Sequence, residues 1–158
     1  MDCSRGMKIR KIQSKQFIAA DIEKVWSFFS NPENLNAITP PELSFDILSD
    51  LKEQKMHAGL IIQYRIKPFL NIPFSWTTEI THCEHQQFFV DEQRFGPYAF
   101  WHHQHHFKSV EGGVEMTDIV HYSVGWGPLG ILIDHLYVHN QLKHIFDYRF
   151  QQVDKFFP

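Results

Sequence analysis

Residues 8–19 place Ile9, Ile12, Phe17 and Ile18 among charged and polar neighbours, the pattern of a half-exposed first strand. Asp21 stands at an N-cap position, and Ile22, Val25, Trp26 and Phe29 follow at helical spacing, which predicts a short amphipathic helix. Ser30-Asn31-Pro32 interrupts it. Asn31 can cap a second short helix with Pro32 at its first position, where a missing N–H costs nothing. That helix must end by Pro40-Pro41. Five strand-like runs follow, over 44–48, 60–67 (stopping at Pro68), 74–83, 86–95 and 98–110. Glu111-Gly112-Gly113 makes a hairpin turn into a sixth run, 114–124. With the first strand the count is seven, and connections this short argue for an antiparallel sheet. Beyond Gly125-Trp126-Gly127-Pro128, apolar positions recur at gaps of three or four. Leu132, Leu136, His139, Leu142, Phe146, Phe150, Val153 and Phe157 form the stripe of one long helix over 129–157.

A long helix with one apolar stripe and a curved antiparallel sheet have one mutual solution: the sheet wraps round the helix. The predicted class is therefore α+β, a helix grip. A seven-stranded curved antiparallel sheet surrounds a long C-terminal helix, with two short helices after the first strand and a cavity between sheet and helix. No repeat or linker divides the chain, so residues 8–158 read as one domain. Residues 1–7 read as a disordered leader, with Met7 an alternative start.

Within this pattern, residues 95–107 are the most informative stretch. Gly96-Pro97 cannot continue a strand and marks a tight connection. Alternation then puts Trp101, His103, His105 and Phe107 on one face and Phe100, His102, Gln104 and His106 on the other. Two imidazoles bracketed by large aromatics suit a partly polar cavity wall better than a plain core. The chain holds fifteen Phe, five Tyr and four Trp, so the interior is either generously filled or built around a hollow. A net charge of −3 leaves no electrostatic footprint for nucleic acid. Cys3 and Cys83 form neither a disulfide framework nor a zinc motif, which fits a cytoplasmic protein. No run approaches the roughly 18 uncharged apolar residues that stable membrane insertion by a helix needs.

The order of elements and several local phrases resemble the START-like superfamily, often called SRPBCC, which also holds birch-pollen-allergen-type proteins and polyketide cyclases. The phrases are Asn31-Pro32-Glu33-Asn34-Leu35 with Ile38-Thr39-Pro40, then Trp76, and Phe89-x-Asp91-x-Gln93-x-x-Gly96-Pro97-Tyr98. They continue with Trp101-x-His103-x-His105-x-Phe107, Asp118-x-Val120-x-Tyr122 and Ile145-Phe146-x-Tyr148-Arg149. The chain looks closest to bacterial ligand-binding, cyclase-like members to which no reaction is assigned. Val124-Gly125-Trp126-Gly127-Pro128 departs from the pattern, which has Pro then Gly after the seventh strand. The resemblance implies a gate loop at residues 68–73, bearing Phe69, Leu70 and Ile72, and a latch at residues 95–98. It also implies a small, mostly apolar ligand such as a lipid, polyketide or aromatic metabolite.

Combined with the alternation, this gives a cavity lined by Trp76, Thr78, Asp91, Gln93, Tyr98, Trp101, His103, His105, Phe107, Asp118 and Tyr122. Leu136, His139, Leu142 and Phe146 would form its floor. The alternative function is a cyclase- or dehydratase-like enzyme with His103 or His105 as general base and Asp118 or Asp91 as orienter. His103-x-His105 also has the spacing with which a strand aims two imidazoles at one metal. No third ligand is fixed by sequence, so a hydrogen-bonded polar cluster without metal or cofactor is the preferred reading. Arg149 reads as a solvated charge, with pairing to a carboxylate near the sheet end as the alternative.

Overall fold

The computed structural model describes residues 8–51, 54–69 and 72–158, with Pro68 and Phe69 described by their backbone only. The expected leader, and the gate residue Leu70 with the Phe69 side chain, lie outside the described residues. Among those described, seven strands form a single antiparallel sheet. They are β1 (Arg10–Ile18), β2 (Asp46–Ile47), β3 (Ile61–Phe69), β4 (Ile72–Glu84), β5 (Phe88–Phe95), β6 (Phe100–Val110) and β7 (Gly113–Ser123). Their spatial order is β1-β7-β6-β5-β4-β3-β2. Strands β2 to β7 thus meander in sequence order, and β1 is added beside the last of them.

Curvature comes from irregular pairing. Register shifts lie between Thr77 and Thr78 and between Ile80 and His82 on β4. A third, between Ile66 and Phe69, carries β3 past Pro68, two residues beyond its predicted end. Each shift leaves a residue unpaired, bends the strand and increases its twist. The concave face so formed is the apolar one: Trp76, Thr78 and Ile80 point inward on β4 while their neighbours are more exposed.

Helix α1 (Ile22–Phe29) turns Val25, Trp26 and Phe29 onto this face. Trp26 meets Phe89 and Phe107 edge-on at 6.0 and 5.5 Å. Burial of each such ring contributes on the order of 1.5–3 kcal/mol. Asp21 occupies the N-cap position, but its side chain makes no capping bond. Asn31 does cap, accepting from Glu33 N at 3.1 Å, and the element it opens is the 3-10 helix Pro32–Ile38.

The C-terminal helix runs unbroken through α2 (Gly127–Ile133), a π turn (Asp134–Val138) and α3 (His139–Phe156). The π turn corrects the predicted stripe. Its extra residue per turn moves the inward position back, so Asp134 and Val138 face the sheet. Leu136, expected in the cavity floor, is 67% exposed, and Leu132 also faces outward. Further along, Leu142, Phe146 and Val153 are buried as predicted, whereas Phe150 is half exposed. Gln16 of β1 fastens this end, donating to Phe150 O at 2.9 Å and to Asp154 Oδ1 at 2.8 Å.

Candidate functional site

Between the concave face and the C-terminal helix lies a cavity of about 150 Å³. One side is apolar: Leu35 and Ile38 from the 3-10 segment, Ile62 and Tyr64 from β3, and Leu142 and Phe146 from α3. The other side carries the polar groups Asp91, His103 and His105 beside Trp76 and Trp101.

Strand register builds the polar wall. Asp91 pairs with His103 across β5 and β6, and His105 pairs with Asp118 across β6 and β7. The side chains then bond diagonally. His103 Nε2–H donates to Asp118 Oδ1 at 3.0 Å, and His105 Nε2–H donates to Asp91 Oδ2 at 3.0 Å. His103 Nδ1 is 3.4 Å from Asp91 Oδ2. His105 Nδ1 lies 2.8 Å from Asp118 Oδ1, out of the line a hydrogen bond needs. Trp101 Nε1–H donates to the second Asp91 oxygen at 3.3 Å. The imidazole centroids are 3.8 Å apart, with His105 stacked on Phe89 at 4.2 Å and His103 edge-on to Phe146 at 5.7 Å. Two imidazoles and two carboxylates thus form one buried, mutually bonded tetrad.

Its charges divide unevenly. Burial, reinforced by the charge on His105, pushes the His103 pKa down. Burial also opposes protonation of His105, but the Asp118 and Asp91 carboxylates outweigh it and raise that pKa. Burial alone would raise both carboxyls, yet imidazole charge and N–H bonds hold Asp118 and Asp91 below the usual range. The arrangement favours the charged form of His105 and the neutral form of His103, beside two carboxylates whose ionised forms are favoured. Asp91, His103 and His105 also present donor atoms all within 4.8 Å of one another, a set that could hold a cation, but those atoms already engage one another.

No family model and no curated protein matches the chain. Solved structures do. The chain is similar to the ZhuI aromatase/cyclase from Streptomyces sp. R1128, with a TM-score of 0.71 at 11% identity over 92% of each chain. It is similar to a norcoclaurine synthase point mutant from Thalictrum flavum in complex with a transition-state analogue, with a TM-score of 0.64 at 14% identity over 94% of this chain and 96% of that one. A protein from Thermus thermophilus superposes with a TM-score of 0.66 at 13% identity over 92% of this chain and 95% of that one. The fold is a helix grip shared with these structures.

Within this helix grip, Trp76, Thr78, Asp91, Tyr98, Trp101, His103, His105, Leu142 and Phe146 line the cavity. The alternation on β6 is sharp from His103 onward, while Trp101 is only partly buried, like His102. Gln93, Phe107, Asp118, Tyr122 and His139 stand behind the wall. Gln93 clamps the turn at residues 95–98, donating to Tyr98 O at 2.7 Å and accepting from Tyr98 N at 3.2 Å. Phe107 packs between Trp26 and Phe29. Tyr122 O–H donates to Asp134 Oδ1 at 2.9 Å and lies 3.3 Å from His139 Nδ1, and Asp134 is ion-paired with Arg10. In that turn, Phe95 is exposed and Tyr98 buried.

Sequence reasoning missed Tyr64 and Arg149. Tyr64 O–H and Thr78 Oγ1 bond at 3.0 Å, and burial pushes the Tyr64 pKa up, so it stays a neutral phenol. Arg149, read as a solvated charge, lines the cavity with its guanidinium over the Phe146 ring at 5.4 Å. Its position three residues after Phe146 and four before Val153 was the available signal.

Proposed function

We propose that this chain binds a small, mostly apolar molecule, such as a lipid, polyketide or aromatic metabolite, in the cavity between sheet and helix. The observation that carries the reading is a cavity lined mainly by apolar and aromatic side chains, with a minority of polar groups that include the bonded Asp91, His103 and His105. Apolar area supplies most of the affinity in such a site, and a few fixed polar groups set orientation. The names of two structural neighbours, a synthase held with a transition-state analogue and an aromatase/cyclase, support small organic molecules as occupants of this fold. We place the protein in the cytoplasm, a reading supported by the unpaired Cys83. No helix among the described residues is long and apolar enough to cross a membrane.

A second reading, acid–base catalysis of the cyclase or dehydratase type, is favoured by one observation. Two touching imidazoles have pKa values displaced in opposite directions, the arrangement that separates a base from an acid. His103 would be the base, oriented by Asp118, and His105 the acid.

Mass spectrometry of molecules that co-purify from the native host, followed by titration of the one identified, tests both. His103→Ala should weaken binding by about 1–3 kcal/mol, the cost of an unpaired buried partner. Unchanged affinity would sink the binding-site assignment. Conversion of the molecule by wild type, lost in His103→Ala, would replace the first reading with the second.

A further inference from the structure

Resting on that ligand-binding reading, we propose that the occupant is a small carboxylic acid whose carboxylate is received by Arg149 and Trp76. The argument is a census of hydrogen-bonding capacity around the cavity. Several of its acceptors are already engaged. Asp91 receives His105 on one oxygen and Trp101 on the other, and Tyr64 and Thr78 bond each other. Four buried side-chain atoms among the described residues lack a hydrogen-bond partner: Arg10 Nε, Trp76 Nε1, His105 Nδ1 and Arg149 Nε. Arg10 faces Asp134 and His105 faces Asp118 at close range, so both have a carboxylate to answer them. The remaining two, Trp76 Nε1 and Arg149 Nε, belong to the cavity wall and have none.

Both are donors that cannot accept, and the guanidinium keeps its charge at any relevant pH. Trp76 is 5% exposed, so water does not readily serve its N–H. The two unpartnered atoms of the wall are therefore both donors, one of them carrying a positive charge, and the complementary group is an anion. A planar carboxylate matches the fork of one arginine. A phosphate would bring more charge than this wall balances, since Asp91 and Asp118 already stand in the same cluster. The body of the ligand has flat surfaces to rest on: Tyr64 and Trp76 stack at 5.7 Å, and Phe146 lies under Arg149. A volume of about 150 Å³ is on the order of a cavity that admits a benzene ring, so one ring or a chain of similar bulk fits.

The test titrates the untagged protein with matched acid and alcohol pairs: 3-phenylpropionate with 3-phenylpropan-1-ol, 2-naphthylacetate with 2-naphthylethanol, and octanoate with 1-octanol. Affinity is followed by tryptophan fluorescence, and the indole N–H resonances are followed by NMR. The Trp76 signal is assigned with Trp76→Phe. At least one acid should bind roughly 10- to 100-fold more tightly than its alcohol and move the Trp76 indole signal. Arg149→Met should weaken the acid by a much larger factor than the alcohol and so erase that preference, and Arg149→Lys should retain part of it. Equal binding of acid and alcohol by wild type, or equal weakening of both by Arg149→Met, overturns the inference and leaves the apolar binding site standing. Failure of all six compounds to bind at millimolar concentration overturns the binding-site reading together with it.

Discussion

Asp118→Asn isolates the charge that organises the buried tetrad. The amide keeps an oxygen for His103 Nε2–H, 3.0 Å away in the native site, but removes the negative charge facing His105 Nδ1 at 2.8 Å. Removing one partner of a buried ion pair costs about 3–5 kcal/mol. The retained hydrogen bond returns about 1 kcal/mol, leaving a loss of about 2–4 kcal/mol. For a domain of this size that lowers the melting temperature by about 5–15 °C. The loss also has a pH signature. His105 has a raised folded pKa, so its contribution is complete below the unfolded value near 6.5 and fades as pH rises through the folded one. His103, with a lowered folded pKa, works oppositely: below about pH 6.5 the unfolded chain takes the proton more readily and stability falls. Asp118, lowered as well, contributes above about pH 3.9, and its share is lost as pH falls through the folded value. In the variant, His105 loses the carboxylate that does most to raise its pKa, so its contribution below about pH 6.5 shrinks. The stability gap should therefore be widest between about pH 4 and 6.5 and narrow toward pH 8. Urea unfolding followed by circular dichroism at pH 5, 6.5 and 8 measures it. A gap under about 0.5 kcal/mol at pH 5, or one that widens with rising pH, refutes this account of the tetrad.

Untagged protein prepared without added zinc should carry no stoichiometric metal, because Asp91 already receives His105 and Trp101 and His103 is bonded to Asp118. Elemental analysis giving about one zinc or iron per chain, lost in His103→Ala, would reverse this and favour the enzyme reading. Leu136→Gln should change stability by less than about 0.5 kcal/mol, whereas Val138→Ala, two positions on, should cost roughly 1–3 kcal/mol by thermal denaturation. The opposite order would mean the π turn is misplaced. Gly130→Ala should be poorly tolerated, since an added Cβ would collide with the Gly125 carbonyl oxygen. A melting temperature equal to wild type would contradict that close approach.

Alternation on β6 is enough to separate His103 and His105 from Gln104 and His106 on the opposite face, because a strand has a period of two. The same rule cannot reveal that the hydrogen bonds run diagonally, His103 to Asp118 and His105 to Asp91, since that depends on register between three strands. Leu136 is misplaced by its spacing because the extra residue of a π turn leaves no mark in the apolar pattern. Arg149 escapes for a different reason. Its spacing matches the buried stripe, but a charged side chain is ordinarily assigned to solvent, and only the three-dimensional wall shows what it borders.

The pairing of β1 with β7 sets a schedule for the growing chain. Arg10 finds its partner only when Tyr122 has been made, and Ile18 waits for Val114. The ribosome therefore finishes every other strand while the first still lacks its neighbour, and the helix that covers the concave face emerges last of all. Until then Trp76, Ile80 and Phe89 have no roof. Pairings so distant in sequence fold slowly, and an uncovered apolar trough is prone to association. Refolding from denaturant should thus be concentration-sensitive, and a chain truncated before residue 139 should accumulate in aggregates or on chaperones.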